Sequence, residues 1–284
     1  MTPKKVKAGG ITFSNDSRLV YIAGPCVIES EKGFTAIASK LKTVFSRLKT
    51  PFALKASFDK ANRTSHKSFR GIGMKKSLDI AAQIKRKLAI PVLIDVHETW
   101  QAPMVSKCAD IIQIPAFLSR QTDLLAAAAD TGKTVNIKKG QFMSPWEIQN
   151  AVKKIESRGN RSILLTERGT CFGYNNLVVD MRSIEIMKET GYPVIFDCTH
   201  SVQRPAGLGN ITGGDVKFAL PLAKAACILK IAGIFFETHP DPSKALSDGP
   251  NSLKLSLVCD AVNMLNHIDT LAKDSGKWLV ASDK

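Results

Sequence analysis

Short apolar runs rich in β-branched residues recur along this chain, and a longer stretch with helical periodicity follows each run. About eight such strand-then-helix units occur, and no linker, charge block or low-complexity tract divides them. The predicted strands are Leu19–Ala23, Phe52–Ala56, Pro91–Val96, Asp110–Pro115, Thr134–Lys138, Ser162–Thr166, Pro193–Cys198 and Gly233–Thr238. The helical patterns lie near residues 32–47, 74–88, 99–107, 120–130, 146–157, 180–190, 216–230 and 252–272. Because strands that are apolar throughout are typical of a parallel sheet buried on both faces, the pattern predicts an α/β protein.

The length of 284 residues suits one closed (β/α)8 barrel, a fold that commonly needs about 250 residues. We therefore predict one TIM-barrel domain over residues 1–284, with residues 1–18 as a short N-terminal extension. An open, doubly wound sheet is the alternative. The barrel is favoured because polar residues follow nearly every predicted strand, where barrels carry their functional groups. These strand ends include Gly24-Pro25-Cys26, Lys55-Ala56-Ser57, Asp95-Val96-His97-Glu98, Lys138-Lys139, Glu167-Arg168, Asp197-Cys198-Thr199-His200 and Glu237-Thr238-His239.

The formal net charge of +15 attracts anions in general, including nucleic acid. The positive charge is spread over ordinary helical patterns, however, and aromatic residues that could stack on bases make up only 7% of the chain. No apolar stretch reaches the roughly 18 residues that span a bilayer, and the first residues lack the apolar segment of a signal peptide. The six cysteines are scattered singly, which favours core thiols over a disulfide framework. These features predict a cytoplasmic protein with neither nucleic acid nor membrane as its partner.

The segment from Lys55 to Ser65 carries three cations and several small polar groups directly after an apolar run. Cations beside buried backbone cost free energy unless an anion meets them, so the segment predicts a phosphorylated metabolite as ligand. For any single cation, a surface ion pair with Asp59 or Glu167 is the alternative. The predicted cation set comprises Lys55, Lys60, Arg63, Lys138 and Arg168, with Asn62 and Ser65 as neutral neighbours.

A second set of residues follows the first, seventh and eighth predicted strands, which are neighbours in a closed barrel. The set consists of Cys26, His200, Glu237 and Asp248. This mixture of sulfur, nitrogen and oxygen ligands suits Zn²⁺, Fe²⁺ or Mn²⁺ better than Mg²⁺. From the residues alone, a buried structural Cys26 and an ordinary hydrogen-bonded His200 remain the alternative.

Two further segments could serve the same end of the barrel. Asp95 and His97 stand together at a strand end and could transfer a proton or orient a substrate hydroxyl. A polar network that only fixes the barrel mouth is an equal alternative. The glycine-rich segment 207–214 follows His200 and predicts a mobile lid over the site. It is not a dinucleotide fingerprint, because it neither follows a strand directly nor shows the required spacing.

Several long strings of residues lie between about Ile22 and Asp248. They are Ala23-Gly-Pro-Cys-Val-Ile-Glu29, Lys55-Ala-Ser-Phe-Asp-Lys-Ala-Asn-Arg63, Asp95-Val-His-Glu98, Ile112-Gln-Ile-Pro-Ala-Phe-Leu118, Arg120-Gln-Thr-Asp-Leu124, Phe172-Gly-Tyr-Asn-Asn-Leu-Val-Val-Asp180 and Glu237-Thr-His-Pro240. Together they resemble the 3-deoxy-D-manno-octulosonate 8-phosphate synthase family. The resemblance implies a homotetrameric transferase of lipopolysaccharide biosynthesis, which condenses phosphoenolpyruvate with D-arabinose 5-phosphate and water and releases inorganic phosphate.

The same resemblance implies a role for each candidate residue. The implied ligands of phosphoenolpyruvate are Lys60, Lys138 and Arg168, with Lys55 nearby and Gln113 and Ala116 lining the pocket. The implied ligands of the pentose phosphate are Asn62 and Arg63, with Ser65 or Thr64. The candidate catalytic residues are Lys55, Lys60, Asp95, His97 and His200.

Cys26 is the position that separates the two branches of this family, because the metal-independent branch carries Asn there. The resemblance therefore implies that a divalent iron, zinc or manganese ion is bound by Cys26, His200, Glu237 and Asp248. Two segments depart from the family pattern. Asp248-Gly249-Pro250 looks more like the metal-independent branch, although Ser247 replaces the Cys common there. Residues 64–68 read Thr-Ser-His-Lys-Ser in place of Ser-Ser-Ile-His-Ser.

Two other functions compete with this interpretation. The sibling synthase uses erythrose 4-phosphate, and its family typically reads Lys-Pro-Arg-Thr where this chain reads Lys60-Ala-Asn-Arg63. The motif thus favours the octulosonate enzyme. A basic nucleic-acid-binding protein is the non-enzymatic alternative, and only the net charge supports it.

Overall fold

The computed structural model describes residues 2–62, 65–204 and 213–281, with side chains up to residue 274. Eight parallel strands form a closed barrel, in which each strand pairs with the next and the last pairs with the first. The barrel strands are β1 (Val20–Gly24), β2 (Phe52–Ala56), β3 (Val92–Asp95), β4 (Ile111–Ile114), β5 (Thr134–Lys138), β6 (Ile163–Glu167), β7 (Val194–Asp197) and β8 (Gly233–His239). The predicted (β/α)8 barrel is confirmed, and the open sheet is wrong because β8 pairs with both β7 and β1.

Helices surround the barrel and connect its strands. They are α1 (Glu31–Arg47), α2 (Met74–Leu88), α3 (Gln101–Val105), α4 (Thr122–Asp130), α5 (Ile148–Glu156), α6 (Arg182–Lys188), α7 (Ala219–Ile228) and α8 (Val258–Ala281). The first of them shows how the sequence sets such a helix. Ser30 accepts a hydrogen bond from the Gly33 amide at the N-terminus of α1, and Phe34, Ile37 and Leu41 form its buried face.

Several helix boundaries differ from the sequence prediction, by up to two residues in most helices and by more in the last two. The pattern over 99–107 forms a helix only at Gln101–Val105, and the pattern over 216–230 begins with a 3₁₀ turn before α7. The pattern over 252–272 was wrong at both ends, since Leu253–Lys254 extends the sheet beside the end of β8 and α8 continues to Ala281. The apolar pattern does not distinguish a strand pairing from a first helical turn here, because two residues are too few to show either period.

The N-terminal extension is an ordered hairpin at the base of the barrel, the end where the strands begin. Its strands, Val6–Ala8 and Ile11–Phe13, pair with each other, and Phe13 is fully buried. The Thr134 hydroxyl, at the start of β5, donates to the Lys7 carbonyl at 3.4 Å. Within the described part of the chain, no helix has the length and apolarity needed to cross a membrane.

Candidate active site

The carboxyl ends of the barrel strands surround a cavity of about 680 Å³. This is the end at which TIM barrels carry their chemistry. Most of the residues predicted from the sequence line it, namely Lys55, Lys60, Asn62, Asp95, His97, Gln113, Ala116, Lys138, Arg168, His200, Glu237 and Asp248. We refer to this cavity as the mouth cavity.

Lys55 ends in the mouth cavity, although its side chain is almost fully buried. Its Nζ lies 2.6 Å from Glu237 Oε1 and donates to the carbonyls of Pro25 and Cys26. Gly24 allows the backbone of β1 to pass close to Lys55 of β2, because a Cβ on Gly24 would lie 2.0 Å from the Lys55 carbonyl oxygen. Burial by itself would raise the pKa of Glu237, but the charge of Lys55 and other nearby cations hold it well below its usual range. The pair therefore places an ionised carboxylate at the cavity wall.

Lys60 and Asp95 belong to one polar network. Lys60 Nζ donates to Ser57 Oγ at 3.2 Å, and Ser57 Oγ donates to Asp95 Oδ1 at 2.5 Å. Asp95 Oδ2 lies 3.1 Å from His97 Nε2, and His97 Nδ1 is buried without a hydrogen-bond partner in the described part. Burial opposes ionisation of Asp95, but the hydrogen bond from His97 and the charge of Lys60 lower its pKa. The network therefore fixes the imidazole at the cavity wall through one ring nitrogen.

Lys138 and His200 share one carboxylate, that of Asp197 at the end of β7. Asp197 Oδ2 lies 2.5 Å from Lys138 Nζ and 2.7 Å from His200 Nδ1. Lys138 Nζ also lies 3.7 Å from the centre of the Phe235 ring. Burial lowers the pKa of Lys138, and the charge of Asp197 opposes that change. Sequence analysis located Asp197 at a strand end but assigned it no role, although its position matches that of Asp95.

Arg168 differs from the lysines of the mouth cavity because it has no ion-pair partner among the described residues. Only 3% of the residue is exposed. Its Nη2 donates to Gln203 Oε1 at 2.6 Å, and its Nη1 is buried without a hydrogen-bond partner in the described part. Burial lowers the pKa of this guanidinium, yet it stays protonated in the physiological range. Such a group favours an anionic ligand.

Three of the four predicted metal ligands lie together. The ligand atoms of Cys26, Glu237 and Asp248 are all within 4.8 Å of one another. The fourth, His200, has its Nε2 at 3.5 Å from Glu237 Oε1. Burial raises the pKa of the Cys26 thiol, and the Asp248 carboxylate, which accepts its hydrogen bond at 2.9 Å, raises it further. A divalent cation fits this donor set, because it would relieve the repulsion between two carboxylates and a thiolate.

The backbone of Asp248 supports the same interpretation. Its φ of +48° lies in the left-handed region, which is rare for a residue other than glycine. The Asp248 carbonyl accepts hydrogen bonds from the amides of Asn251 and Ser252, which hold this turn. Uncommon backbone of this kind persists where the surrounding structure over-determines it, often at functional sites.

The loop predicted to bind the pentose phosphate is described only in part. Asn62 is exposed and lines the mouth cavity, whereas Ser65 is half-buried and does not line it. Arg63 and Thr64 lie outside the described residues. Most of the predicted lid, residues 207–212, also lies outside them; Gly213 and Gly214 form a short strand that pairs with Gln203 and Arg204.

Asp59 and Glu167 are the alternative partners for the predicted cation set, but both carboxylates pair with other residues. Asp59 pairs with Arg70, and Glu167 pairs with Lys139. None of the described members of the cation set pairs with either carboxylate. The sequence alone could not identify Gln203 as the partner of Arg168, because 35 residues separate the two.

Comparison with known proteins gives a consistent result. The model of the DAHP synthetase I family matches residues 2–273. A protein from Fusobacterium nucleatum, named 2-dehydro-3-deoxyphosphooctonate aldolase, is 51% identical over 269 residues, which cover 95% of this chain and 97% of the relative. Proteins of the same name are 51% identical in Geotalea daltonii, over 95% of this chain and 99% of the relative, and 53% identical in Nitrobacter winogradskyi, over 94% of each. The chain belongs to the DAHP synthetase I family.

Proposed function

We propose that this enzyme condenses phosphoenolpyruvate with D-arabinose 5-phosphate and water, forming 3-deoxy-D-manno-octulosonate 8-phosphate and inorganic phosphate for lipopolysaccharide biosynthesis. The name of the relatives denotes a phosphorylated eight-carbon acid with a keto group at C2 and no hydroxyl at C3. A three-carbon and a five-carbon substrate give that skeleton. Identity of about half the residues over nearly the whole chain supports the same reaction here.

The observation that carries the proposal is that Arg168 is buried at the mouth cavity with a guanidinium nitrogen, Nη1, that is unsatisfied among the residues described. A buried guanidinium that faces a cavity, with no carboxylate partner in the described part of the chain, is costly unless an anion occupies the cavity. A guanidinium offers two parallel donors to phosphate or carboxylate oxygens. Phosphoenolpyruvate carries both of these groups.

In the proposed complex, phosphoenolpyruvate lies between Arg168, Lys138 and Lys60. All three line the mouth cavity, and Gln113 and Ala116 line the same cavity from the end of β4. Lys55 already neutralises Glu237, so its role is to set the charge of the cavity wall. Asn62 also lines the mouth cavity, which supports its proposed contact with the pentose phosphate. The roles of Arg63, Thr64 and Ser65 rest on the resemblance alone.

The reaction needs proton transfers as well as charge compensation. C3 of phosphoenolpyruvate bonds to the aldehyde carbon, and the aldehyde oxygen takes a proton. Water adds at C2 and loses one proton. The bond between C2 and the phosphate oxygen then breaks, and the new hydroxyl gives its other proton to the departing phosphate, which leaves the ketone. His97 is the group suited to move these protons, since it lines the mouth cavity and Asp95 holds one nitrogen of its ring. His200 has Nδ1 held by Asp197 and turns Nε2 toward Glu237, so its role in this proposal is that of a metal ligand.

We also propose that a divalent ion is bound by Cys26, Glu237 and Asp248, with His200 as the fourth ligand. When bound, the ion would orient and polarise the pentose aldehyde and nearby water. The proximity of the three ligand atoms supports this assignment. Zinc, iron and manganese all suit the mixed ligands.

Phosphate release from phosphoenolpyruvate, measured with different aldoses, tests the proposed reaction. We expect turnover with arabinose 5-phosphate and little with erythrose 4-phosphate. The sibling reaction deserves this direct comparison, because the matching family model takes its name from it. Preference for erythrose 4-phosphate would contradict the proposal. A lack of turnover with both aldoses would show that the proposed reaction is wrong.

The remaining proposals concern the domain organisation, oligomeric state, cellular location and partners of the enzyme. We propose one domain over residues 1–284, a homotetramer, and a cytoplasmic location without nucleic acid or membrane as partner. Sedimentation at several protein concentrations tests the tetramer. Binding to nucleic acid that falls steeply with salt and does not compete with phosphoenolpyruvate would instead support the nucleic-acid alternative.

A further inference from the structure

A buried ion pair lies directly behind the two anion-binding side chains of β5 and β6. Lys138 and Arg168 line the mouth cavity, whereas their chain neighbours Lys139 and Glu167 do not line it and are at most 1% exposed. Lys139 Nζ lies 3.6 Å from Glu167 Oε1. Such a pair offers no group to a ligand, yet burying two charges is costly and calls for a structural explanation.

The pair is bonded to the segment that follows Arg168. Glu167 Oε1 accepts a hydrogen bond from the Gly169 amide at 2.6 Å. Lys139 Nζ lies 3.5 Å from the Gly169 carbonyl and donates to Thr170 Oγ1 at 3.0 Å. Gly169 has a φ of +90°, a conformation that L side chains rarely adopt. Both sides of this turn are therefore held by one ion pair.

The same pair is attached to two other elements. Glu167 Oε2 accepts a hydrogen bond from Ser183 Oγ of α6 at 2.7 Å. Lys139 Nζ donates to the Met143 carbonyl at 3.3 Å, and the Lys139 amide donates to the Thr166 carbonyl at 2.8 Å. The pair thus ties the ends of β5 and β6 to the layer outside the barrel.

Arg168 itself has few direct constraints. Within the described residues, its guanidinium hydrogen-bonds to one side chain, that of Gln203. The backbone on both sides of Arg168 is fixed through Glu167 and Gly169. The position of the guanidinium therefore depends on the buried pair behind it.

We propose that Lys139 and Glu167 are positioning residues, which hold Arg168 in register for an anionic group of phosphoenolpyruvate without touching the substrate. This inference rests on the proposed function for the identity of the ligand. It assigns the pair a role in substrate affinity, beyond its contribution to folding.

The test measures binding of phosphoenolpyruvate by calorimetry and turnover by phosphate release. Lys139→Met should weaken binding by about tenfold, the scale at which removal of a supporting residue commonly affects a site. KM for phosphoenolpyruvate should rise with it, whereas KM for the pentose phosphate should change little. Glu167→Gln keeps an acceptor for Gly169 and should show a smaller change in the same direction, so it serves as the test if Lys139→Met does not fold.

A double-mutant cycle separates positioning from general destabilisation. In an Arg168→Ala background, Lys139→Met should cause little further loss of phosphoenolpyruvate affinity, although its effect on stability persists. Lys273→Met is the matched control, because it breaks a buried pair with Asp269 at 2.6 Å near the base of the barrel. It should lower stability and leave the affinity unchanged.

Unchanged affinity in folded Lys139→Met, or an equal loss in the Arg168→Ala background, would overturn the inference. These results differ from a failure of the proposed function. If the wild type binds phosphoenolpyruvate without turnover, the reaction is wrong while the positioning role is still measured. If the wild type binds neither phosphoenolpyruvate nor inorganic phosphate, both proposals are wrong.

Discussion

The two ends of this barrel each carry a cavity with several cations, and the cations differ in their surroundings. The mouth cavity of about 680 Å³ contains buried lysines and Arg168. A cavity of about 510 Å³ at the base is lined by the basic residues Lys5, Lys7, Arg158 and Arg161. At the base, Arg158 forms two hydrogen bonds with Asp130, and both partners are exposed.

This difference shows that a count of positive charges does not locate a binding site. An exposed arginine with a carboxylate partner is hydrated and balanced, so it gains little from an added anion. A buried guanidinium without a carboxylate has lost its water and gains much from one. The net charge of +15 is compatible with both situations, and only the structure separates them.

Removal of the proposed metal should have the largest effect on activity at the mouth cavity. We expect a chelator to abolish phosphate release and Mn²⁺, Fe²⁺ or Zn²⁺ to restore it to different degrees, because the bound ion would orient the reacting aldehyde. Cys26→Ala should lose both bound metal and activity. Elemental analysis alongside turnover is the measurement.

Two variants sharpen this prediction. Cys26→Asn should keep some activity, since the metal-independent branch of the synthase family carries Asn at that position. Cys227→Ala removes a buried thiol of α7 and should keep both metal and activity. Full activity in metal-free protein would leave Cys26 as a buried thiol and the proposed reaction otherwise intact.

Arg63→Ala should cause the next largest loss. A missing charge-assisted contact to phosphate costs on the order of 1.5–3 kcal/mol, and the loss should fall on arabinose 5-phosphate. Phosphoenolpyruvate affinity should be nearly unchanged. The measurement compares KM for both substrates, with Lys67→Ala, an exposed lysine of the same loop, as the control. Equal losses for both substrates would contradict the assignment.

Arg168→Lys should have a smaller effect, because the charge is kept and only the two-pronged geometry is lost. We expect KM for phosphoenolpyruvate to rise by about tenfold, which corresponds to one lost charge-assisted hydrogen bond. Arg158→Lys, the same change at the base, should leave the kinetics unaltered. If both variants behave alike, the contrast between the two cavities has no functional meaning.

The sequence predicted the barrel well because its signals are local. Apolar strands and helical periodicity appear in short windows, and two of the eight predicted strands, Phe52–Ala56 and Thr134–Lys138, match the structure at both ends. The strand ends also identified charged residues that line the mouth cavity, among them Lys55, Lys138 and Glu237. Closure of the barrel then brings Cys26 and Glu237 together, because β1 and β8 are neighbours.

The sequence could not predict which charges are paired. Lys55 and Glu237 are 182 residues apart, and the partner of Lys138 proved to be Asp197, at a distance of 59 residues. Such pairs depend on side-chain conformations and on burial, which no short window encodes. Lys139 shows the same limit, since its neighbour Lys138 has the same chemistry and lines the cavity.

The smallest expected effect is on the pH dependence of the free energy of unfolding, and it comes from two buried aspartates. Burial opposes ionisation of Asp95 at the mouth, but its hydrogen bond with His97 and the charge of Lys60 lower its pKa. At the base, burial raises the pKa of Asp269 despite its pair with Lys273. The pKa values of these two carboxyl groups therefore move in opposite directions from their common reference.

The sign of the linkage follows from these directions. A lowered folded pKa contributes stability above the unfolded value of about 3.9, and this stability is lost as the pH falls through the folded value. A raised folded pKa contributes stability that is complete below about 3.9 and is lost as the pH rises through the folded value. We therefore expect the stability difference between wild type and Asp95→Asn to shrink on acidification. The difference for Asp269→Asn should shrink as the pH rises. Urea unfolding between about pH 6 and pH 3 measures both slopes, and slopes of the same sign would contradict the contrast between mouth and base.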